Sequence, residues 1–329
     1  MADLQTLTFS IPMATRFRGI DVREGMLVAG RAGWGEFAPF AGYSDAQCVP
    51  WWRAAFEAAV LGFPPPVRDS VPVNTTVPAV GPDRARAMVA ASGCRTAKVK
   101  VAEPGQNLAD DVARVEVVRD ALGPHGAVRV DANGGWDLDV ALVAVRALDR
   151  AAATGGGAGL EYVEQPCASV EDLAVVRRRT DVRVAADESI RLAQDPLAVV
   201  RAGAADVAVL KVAPLGGVRA ALLLAERLGI PVVVSSAVDT SVGLAAGVAL
   251  AAALPELPFA CGLGTAPLLS GDVTTEPLVP VDGALPVRPV VPDARVLSGV
   301  TADWETRRAW LRRSTRVRRA SGELLDLVE

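Results

Sequence analysis

A chain of 329 residues is long enough for one large hydrophobic core with a smaller domain beside it. Its hydrophobic share of 51%, broken by 30 glycines and 23 prolines, leaves no apolar run of the ~18–20 residues that a membrane span needs. The net charge of −4 and a pI near 5.3 argue against nucleic acid as the main partner.

The start, Met1-Ala2-Asp3-Leu4, lacks the basic stretch and apolar core of a secretion signal. Four scattered cysteines, Cys48, Cys94, Cys167 and Cys261, form no CxxC and read as small buried residues in a reducing cytoplasm. Residues 1–68 read as a small α+β domain. Short strands are expected at 9–13 and 25–28, and a Gly-rich strand or turn at 31–37. Trp51, Trp52, Ala55, Phe56, Ala59 and Val60 give 48–62 helical apolar spacing. Pro64-Pro65-Pro66 then breaks the chain at a plausible boundary.

From residue 71 the pattern becomes regular. Strand-like runs lie at 71–77, 96–101, 128–131, 160–164, 184–187, 207–211, 232–235 and 259–261. Helical stretches lie between them near 82–92, 107–121, 137–153, 169–179, 195–202, 216–228 and 241–253. Strands alternating with such helices predict βαβ units and a parallel sheet. Eight strands and seven intervening helices predict a (β/α)7β TIM-like barrel over 69–265, with its chemistry at the C-terminal strand ends. The single histidine, His125, falls in the turn Gly123-Pro124-His125-Gly126, which argues against a histidine metal site or a Ser-His-Asp triad.

The chain has three lysines, Lys98, Lys100 and Lys211, and every other basic residue is arginine. In Thr96-Ala97-Lys98-Val99-Lys100-Val101 the side chains alternate, so both amines point into one space. Burial and a neighbouring cation lower an amine's pKa from ~10.4 towards the ~7–8 of a general base, whereas an arginine stays protonated. The plain alternative, three leftover surface lysines in an arginine-biased chain, sits poorly with their apolar strand-like surroundings. Asp131, Glu164, Asp187 and Lys211 end the third to sixth strands, one βα unit apart, and converge on one barrel mouth. Three carboxylates without histidine or thiolate suit a hard cation, Mg²⁺ or possibly Mn²⁺; the bland reading is a set of helix caps and loop acids. Arg129, two residues before Asp131, shares its inward face and needs either a carboxylate or an anionic ligand.

The set Lys98-x-Lys100, Asp131, Glu164, Asp187 and Lys211 resembles the enolase superfamily, in its muconate-lactonizing subgroup. Local contexts are most similar to its o-succinylbenzoate synthase family in the short actinobacterial form. They are Thr15-Arg16-Phe17-Arg18-Gly19-Ile20, Arg129-Val130-Asp131-Ala132-Asn133-Gly134, Glu164-Gln165-Pro166, Asp187-Glu188-Ser189, Ser235-Ser236 and Gly262-Leu263-Gly264-Thr265. Serines stand near the end of strand seven where mandelate-racemase-like members carry a histidine, so that subgroup is excluded.

The resemblance implies a cap made of 1–68 and the tail 266–329, with residues 16–20 in a loop over the substrate. It also implies a Mg²⁺-dependent syn-dehydration of a small carboxylate, 2-succinyl-6-hydroxy-2,4-cyclohexadiene-1-carboxylate (SHCHC), in menaquinone biosynthesis. Asp131, Glu164 and Asp187 would bind the metal. Lys100 would be base and then acid, Lys211 would stabilise the intermediate from the opposite face, and Lys98 would bind a carboxylate and depress the pKa of Lys100. Arg129, Asn133, Ser235, Ser236, Gly262, Gly264, Arg16 and Arg18 are the expected substrate contacts. In the tail, 280–292 reads as extended and 301–320 as a helix whose seven arginines form a solvated or intersubunit face, with a minor chance of binding an anionic partner. An N-acyl (succinyl) amino acid racemase fits the same lysines. A dipeptide epimerase is disfavoured because no Asp-x-Asp follows strand eight. From a different class, a non-catalytic binding barrel would have no use for the intact lysine and acid set. Oligomeric state is not legible.

Overall fold

The chain opens with an antiparallel sheet of β1 (Gln5–Phe17), β2 (Ile20–Gly30) and β3 (Gly33–Phe37), in that order. The computed structural model describes residues 4–322, so Met1 to Asp3 and the last seven residues of the expected cap lie outside the described residues. The first two strands run well beyond the expected 9–13 and 25–28. Ladder pairing continues from Gln5↔Ala29 to Pro12↔Val22 and, after a register shift, ends at Phe17↔Ile20. Backbone pairing, not apolar content, sustains those ends. Arg18 (φ +50°) and Gly19 (φ +76°) both take the left-handed region, as a two-residue type I′ turn requires. Helix α1 (Asp45–Phe56) starts at a Ser44–Gln47 capping box and continues as a π-helical turn, Glu57–Leu61, to Gly62.

The barrel strands are β4 (Ser70–Val77), β5 (Thr96–Lys100), β6 (Ala127–Asp131), β7 (Leu160–Glu164), β8 (Val184–Ala186), β9 (Val207–Leu210), β10 (Val232–Val234) and β11 (Cys261–Gly264). They pair in parallel in the order β10-β9-β8-β7-β6-β5-β4-β11, and a parallel bridge between Ser235 and Gly262 closes the ring. Helices α2 (Pro82–Ser92), α3 (Leu108–Leu122), α4 (Leu138–Ala152) and α5 (Val170–Arg179) follow the first four strands. The fifth unit departs from expectation: of the helix expected over 195–202 only the single turn α7 (Ala198–Arg201) forms, after a separate single turn α6 (Glu188–Arg191) that was not expected. Pro196 keeps Asp195 out of the helix, since the residue before a proline is disfavoured in the helical region. The sixth unit carries the short α8 (Val212–Leu215) and α9 (Val218–Leu228), and the seventh α10 (Ser241–Ala253).

The extended tail supplies β12 (Ala284–Pro286), antiparallel to β4, and then α11 (Ala294–Val300) and α12 (Trp304–Ala320). Trp310 and Val317 of α12 join Met26, Val28, Phe37, Trp51 and Trp52 in the core of the N-terminal unit. Phe37 meets Trp52 and Trp310 edge to face at 5.4 and 5.9 Å. The arginine run is therefore not wholly solvated. Arg313 donates to the carbonyls of Pro39, Phe40 and Tyr43, and Arg316 pairs with Asp45 at 2.7 Å.

Two buried glutamates fasten this cap to the barrel by accepting at helix N-termini, where backbone donors lack partners. Glu57 accepts from the amides of Val218 (2.5 Å) and Arg219 (3.2 Å) at the start of α9. Glu36 accepts from the Thr240 amide (3.1 Å), the Thr240 hydroxyl (2.5 Å) and the Gly243 amide (3.1 Å) at α10. Gly217 (φ +126°) must be glycine, because a Cβ there would stand 2.0 Å from Glu57 Oε2. Helix α10 is almost wholly small and apolar, as its burial between barrel and cap demands.

Candidate active site

Parallel register places Lys100 beside Asp131 and Asp131 beside Glu164, so the three side chains share the inner face of the barrel. Asp187 follows the end of β8 and Lys211 the end of β9. Lys98 Nζ lies 2.9 Å from both oxygens of Glu164 and 3.2 Å from Asp131. Lys100 Nζ donates to Asp131 (2.5 Å) and to Asn133 Oδ1 (2.8 Å), and Lys211 Nζ to Asp187 (2.6 Å). Lys98, Lys100, Asp131, Glu164 and Asp187 are all buried.

Burial opposes charge on Lys98, but Glu164 and Asp131 outweigh it and hold that amine above the usual lysine range. Lys100 goes the other way. Burial lowers its pKa, the Lys98 charge adds to the lowering, and Asp131 only partly offsets them. Two lysines on one strand thus hold their protons with different strength. Burial works against ionised Asp131 and Asp187, yet the lysines beside each keep both below the carboxylate range. Glu164 is pushed up to about 7 by burial and then by the Asp131 charge, against the pull of Lys98.

Among the described residues, no three acids are spaced to hold one ion as they stand, and a lysine amine pairs with each of Glu164, Asp131 and Asp187. The donor chemistry nevertheless fits a divalent cation. The three donors are carboxylate oxygens at adjacent strand ends, with neither imidazole nor thiolate among them. Glu188 Oε2 is buried without a hydrogen-bond partner at the same rim.

A cavity of about 1340 Å³ opens above this floor, between the strand ends and the cap. Lys98, Lys100, Lys211, Asn133, Ser235, Ser236, Gly262 and Arg18 all line it. Asn133 also donates to Glu188 at 3.0 Å, and Gly262 is glycine because a Cβ would meet Ser235 Oγ at 2.6 Å. Arg18 is committed elsewhere. Its guanidinium bonds Glu103 (3.1 Å) and the carbonyls of Val101 (2.8 Å) and Asp131 (3.2 Å), tying the β1–β2 tip to the strand ends.

Three expected contacts lie away from this cavity. Arg16 is exposed and pairs weakly with Asp21 at 3.8 Å. Gly264 stands against the Asn74 carbonyl of β4, where a Cβ would come within 2.5 Å. Arg129 does face inward, but lower in the barrel. It bonds Glu161 (2.5 Å), Asn74 (3.1 Å) and the Ala260 carbonyl (2.6 Å), with its guanidinium over Tyr162 at 4.6 Å. The charge is paired with a carboxylate, Glu161, which was one of the two outcomes that the sequence had left open, while Nη2 stays buried without a partner. Sequence reasoning missed Arg191, which holds Asp187 (2.9 Å), Glu188 (2.6 Å) and the Tyr43 hydroxyl (2.6 Å). The available signal was its spacing of four residues from Asp187, which puts both on one helical turn. It also missed Phe17, whose ring lies 5.2 Å from Lys100 Nζ.

Residues 82–295 match the family model described as enolase C-terminal domain-like, and residues 8–59 the one described as enolase N-terminal domain-like. The chain is 66% identical over 304 residues to the o-succinylbenzoate synthase of Thermobifida fusca, covering 92% of this chain and 94% of that one. The chain belongs to the o-succinylbenzoate synthase family of the enolase superfamily. A second member, from Mycolicibacterium smegmatis, is 57% identical over 302 residues, covering 92% of this chain and 91% of its own. The fold also matches solved structures of the superfamily. The muconate lactonizing enzyme of Pseudomonas putida superposes with a TM-score of 0.73 at 21% identity, covering 91% and 99% of the two chains. The N-succinyl Arg/Lys racemase of Bacillus cereus gives 0.76 at 20%, covering 91% and 98%.

Proposed function

We propose that this chain is an o-succinylbenzoate synthase, a hydro-lyase that dehydrates SHCHC to 2-succinylbenzoate in menaquinone biosynthesis. The single observation that carries this is the pair of unlike lysines beneath the cavity, in a chain 66% identical to a named o-succinylbenzoate synthase. Lys100, the amine lowered by burial, takes the proton α to the ring carboxylate. The C–O bond then breaks, and the ammonium of Lys100 returns the proton to the departing hydroxide as water. The ring gains its third double bond and becomes aromatic. Negative charge develops on the carboxylate between these steps, and fixed positive groups stabilise it without reorganising. Lys98, which keeps its proton firmly, binds a carboxylate oxygen, and Lys211 meets the charge from a different strand.

Asp131, Glu164 and Asp187 would hold Mg²⁺, for which their hard oxygens are suited. When bound, that ion supplies Lewis-acid stabilisation of the carboxylate charge. Asn133 holds Lys100 through its Oδ1, while Ser235, Ser236 and the Gly262 backbone face the succinyl arm. The four cysteines are free and buried, which suits a reducing cytoplasm. Among the described residues no helix is long and apolar enough to cross a membrane.

A racemase of N-succinyl amino acids is the second reading, favoured by lysines that reach the cavity from two strands. The two are separated by measuring turnover of SHCHC with Mg²⁺ beside racemisation of N-succinyl amino acids. SHCHC turnover at the higher kcat/KM, abolished by EDTA and restored by Mg²⁺, is expected. Racemisation alone would move the assignment to the second reading, and full turnover in metal-free buffer would remove the metal role.

A further inference from the structure

Residues 235–238 line the cavity, and the segment 235–240 of which they are part joins β10 to α10. Val238 sits at φ +61°, a conformation that a β-branched residue adopts only when its surroundings impose it. Its amide donates to Ser236 Oγ (3.3 Å), and that hydroxyl in turn shares a hydrogen bond with Thr265 Oγ1 (2.7 Å). The unfavourable backbone at Val238 is therefore coupled directly to the orientation of Ser236, which faces the cavity.

What imposes the conformation comes from the cap. Arg23 of β2 is buried, and its Nε donates to the Val238 carbonyl at 2.9 Å. The same guanidinium bonds the Ala38 carbonyl and stands 3.9 Å from Asp239, whose other oxygen accepts from the Ala237 amide at 2.9 Å. Glu36 of β3 holds the next residue, Thr240, through both its amide and its hydroxyl. Ala237 packs into the aromatic core of the cap. Every residue from 237 to 240 is thus gripped by an N-terminal strand or by the core that strand builds.

We infer that Arg23, assisted by Glu36, is a positioning residue that holds the 235–240 wall in its strained conformation and so sets where Ser235 and Ser236 meet the substrate. Arg23 acts through the Val238 carbonyl and not on the reacting atoms. A guanidinium suits the task, because it presents donors to Val238, Ala38 and Asp239 at once.

Hydrogen exchange and steady-state kinetics of the full chain, compared for the parent, Arg23→Leu and Arg23→Lys, test this. In Arg23→Leu the amides of 235–240 are expected to exchange at least about tenfold faster while those of β5 to β7 keep their rates. The KM for SHCHC should rise by about tenfold or more, with kcat falling by less, because a displaced wall loosens binding while Lys100 and Lys211 stay in place. Arg23→Lys, which restores a charge but not the fork, should fall between the two. The inference is overturned if the 235–240 amides exchange within about twofold of the parent. It is equally overturned if exchange quickens alike in the cap sheet and the barrel strands, since Arg23 would then serve only overall stability. Should Arg23→Leu fail to fold, Arg23→Gln, which keeps one amide donor, is read by the same criteria. The kinetic measurement rests on the activity proposed above, but the exchange measurement does not. A parent without turnover would refute the activity and leave exchange to decide the role of Arg23.

Discussion

At the scale of single residues, the decisive property of this site is that lysines two positions apart differ in how firmly they hold a proton. Lys98 is bonded to Glu164 and to Asp131, whereas Lys100 has one carboxylate, one neutral amide and the Lys98 charge beside it. Lys100→Arg should therefore lose about 10²–10⁴-fold or more in kcat, with a much smaller change in KM, since an arginine pairs with carboxylates but cannot accept the proton. A variant within about tenfold of the parent at saturating substrate would remove Lys100 as the base. Lys211→Ala should fold normally and turn nothing over. Arg129, below the cavity, tests the opposite case. Arg129→Ala leaves Glu161, Asn74 and the Ala260 carbonyl without their buried donor, which should cost about 3–5 kcal/mol in denaturant unfolding. The fraction that folds should keep its KM, and a selective rise in KM at unchanged stability would return Arg129 to the substrate.

At the scale of elements, cap and barrel meet through strand ends and helix starts, and one of these contacts gives folding a pH dependence. Burial, reinforced by the Asp239 charge, pushes Glu36 from 4.5 up to about 8, although Arg23 and the Thr240 hydroxyl pull the other way. The folded chain thus keeps a proton that the unfolded chain releases above its ordinary value. This contribution is fully present below about pH 4.5 and is lost as pH climbs towards about 8. Glu36→Gln lacks this titration. Its melting temperature should fall furthest below the parent's near pH 5, and the gap should narrow or reverse by pH 9. A gap constant across that range would show that Glu36 does not titrate there. Strand closure is just as local. Gly262→Ala would drive a methyl group into Ser235 Oγ at the bridge between β10 and β11, so KM should rise more than kcat falls.

At the scale of the whole molecule, the last long helix completes a core begun by the first strands. Trp310 of α12 is buried against Phe37 and also lines the cavity. Trp310→Ala should cost about 3–5 kcal/mol, read as a lower denaturant midpoint. A change below about 1 kcal/mol would mean that the tail only rests on the cap.

The alternation of strands and helices from residue 71 onward determined the barrel, because each unit's period is a local property of the chain. The lysines and acids at successive strand ends were legible for the same reason, since parity and unit spacing place them on one inner face before any contact is known. What lies between units was not. Nothing local in 195–202 said that the expected fifth helix would shrink to the single turn 198–201. Nor did spacing show that Arg129 would find Glu161, Asn74 and Ala260 below the cavity, or that Arg18 would bond strand-end carbonyls across 83 residues or more. Glu36, Glu57 and Arg23 read as ordinary charged residues of short strands and a helix. Their partners are helix starts and a carbonyl 161–215 residues further along the chain. Periodicity reports which face a residue occupies. Only the folded chain decides which distant donor meets an unpaired acceptor there, because that depends on how two domains dock.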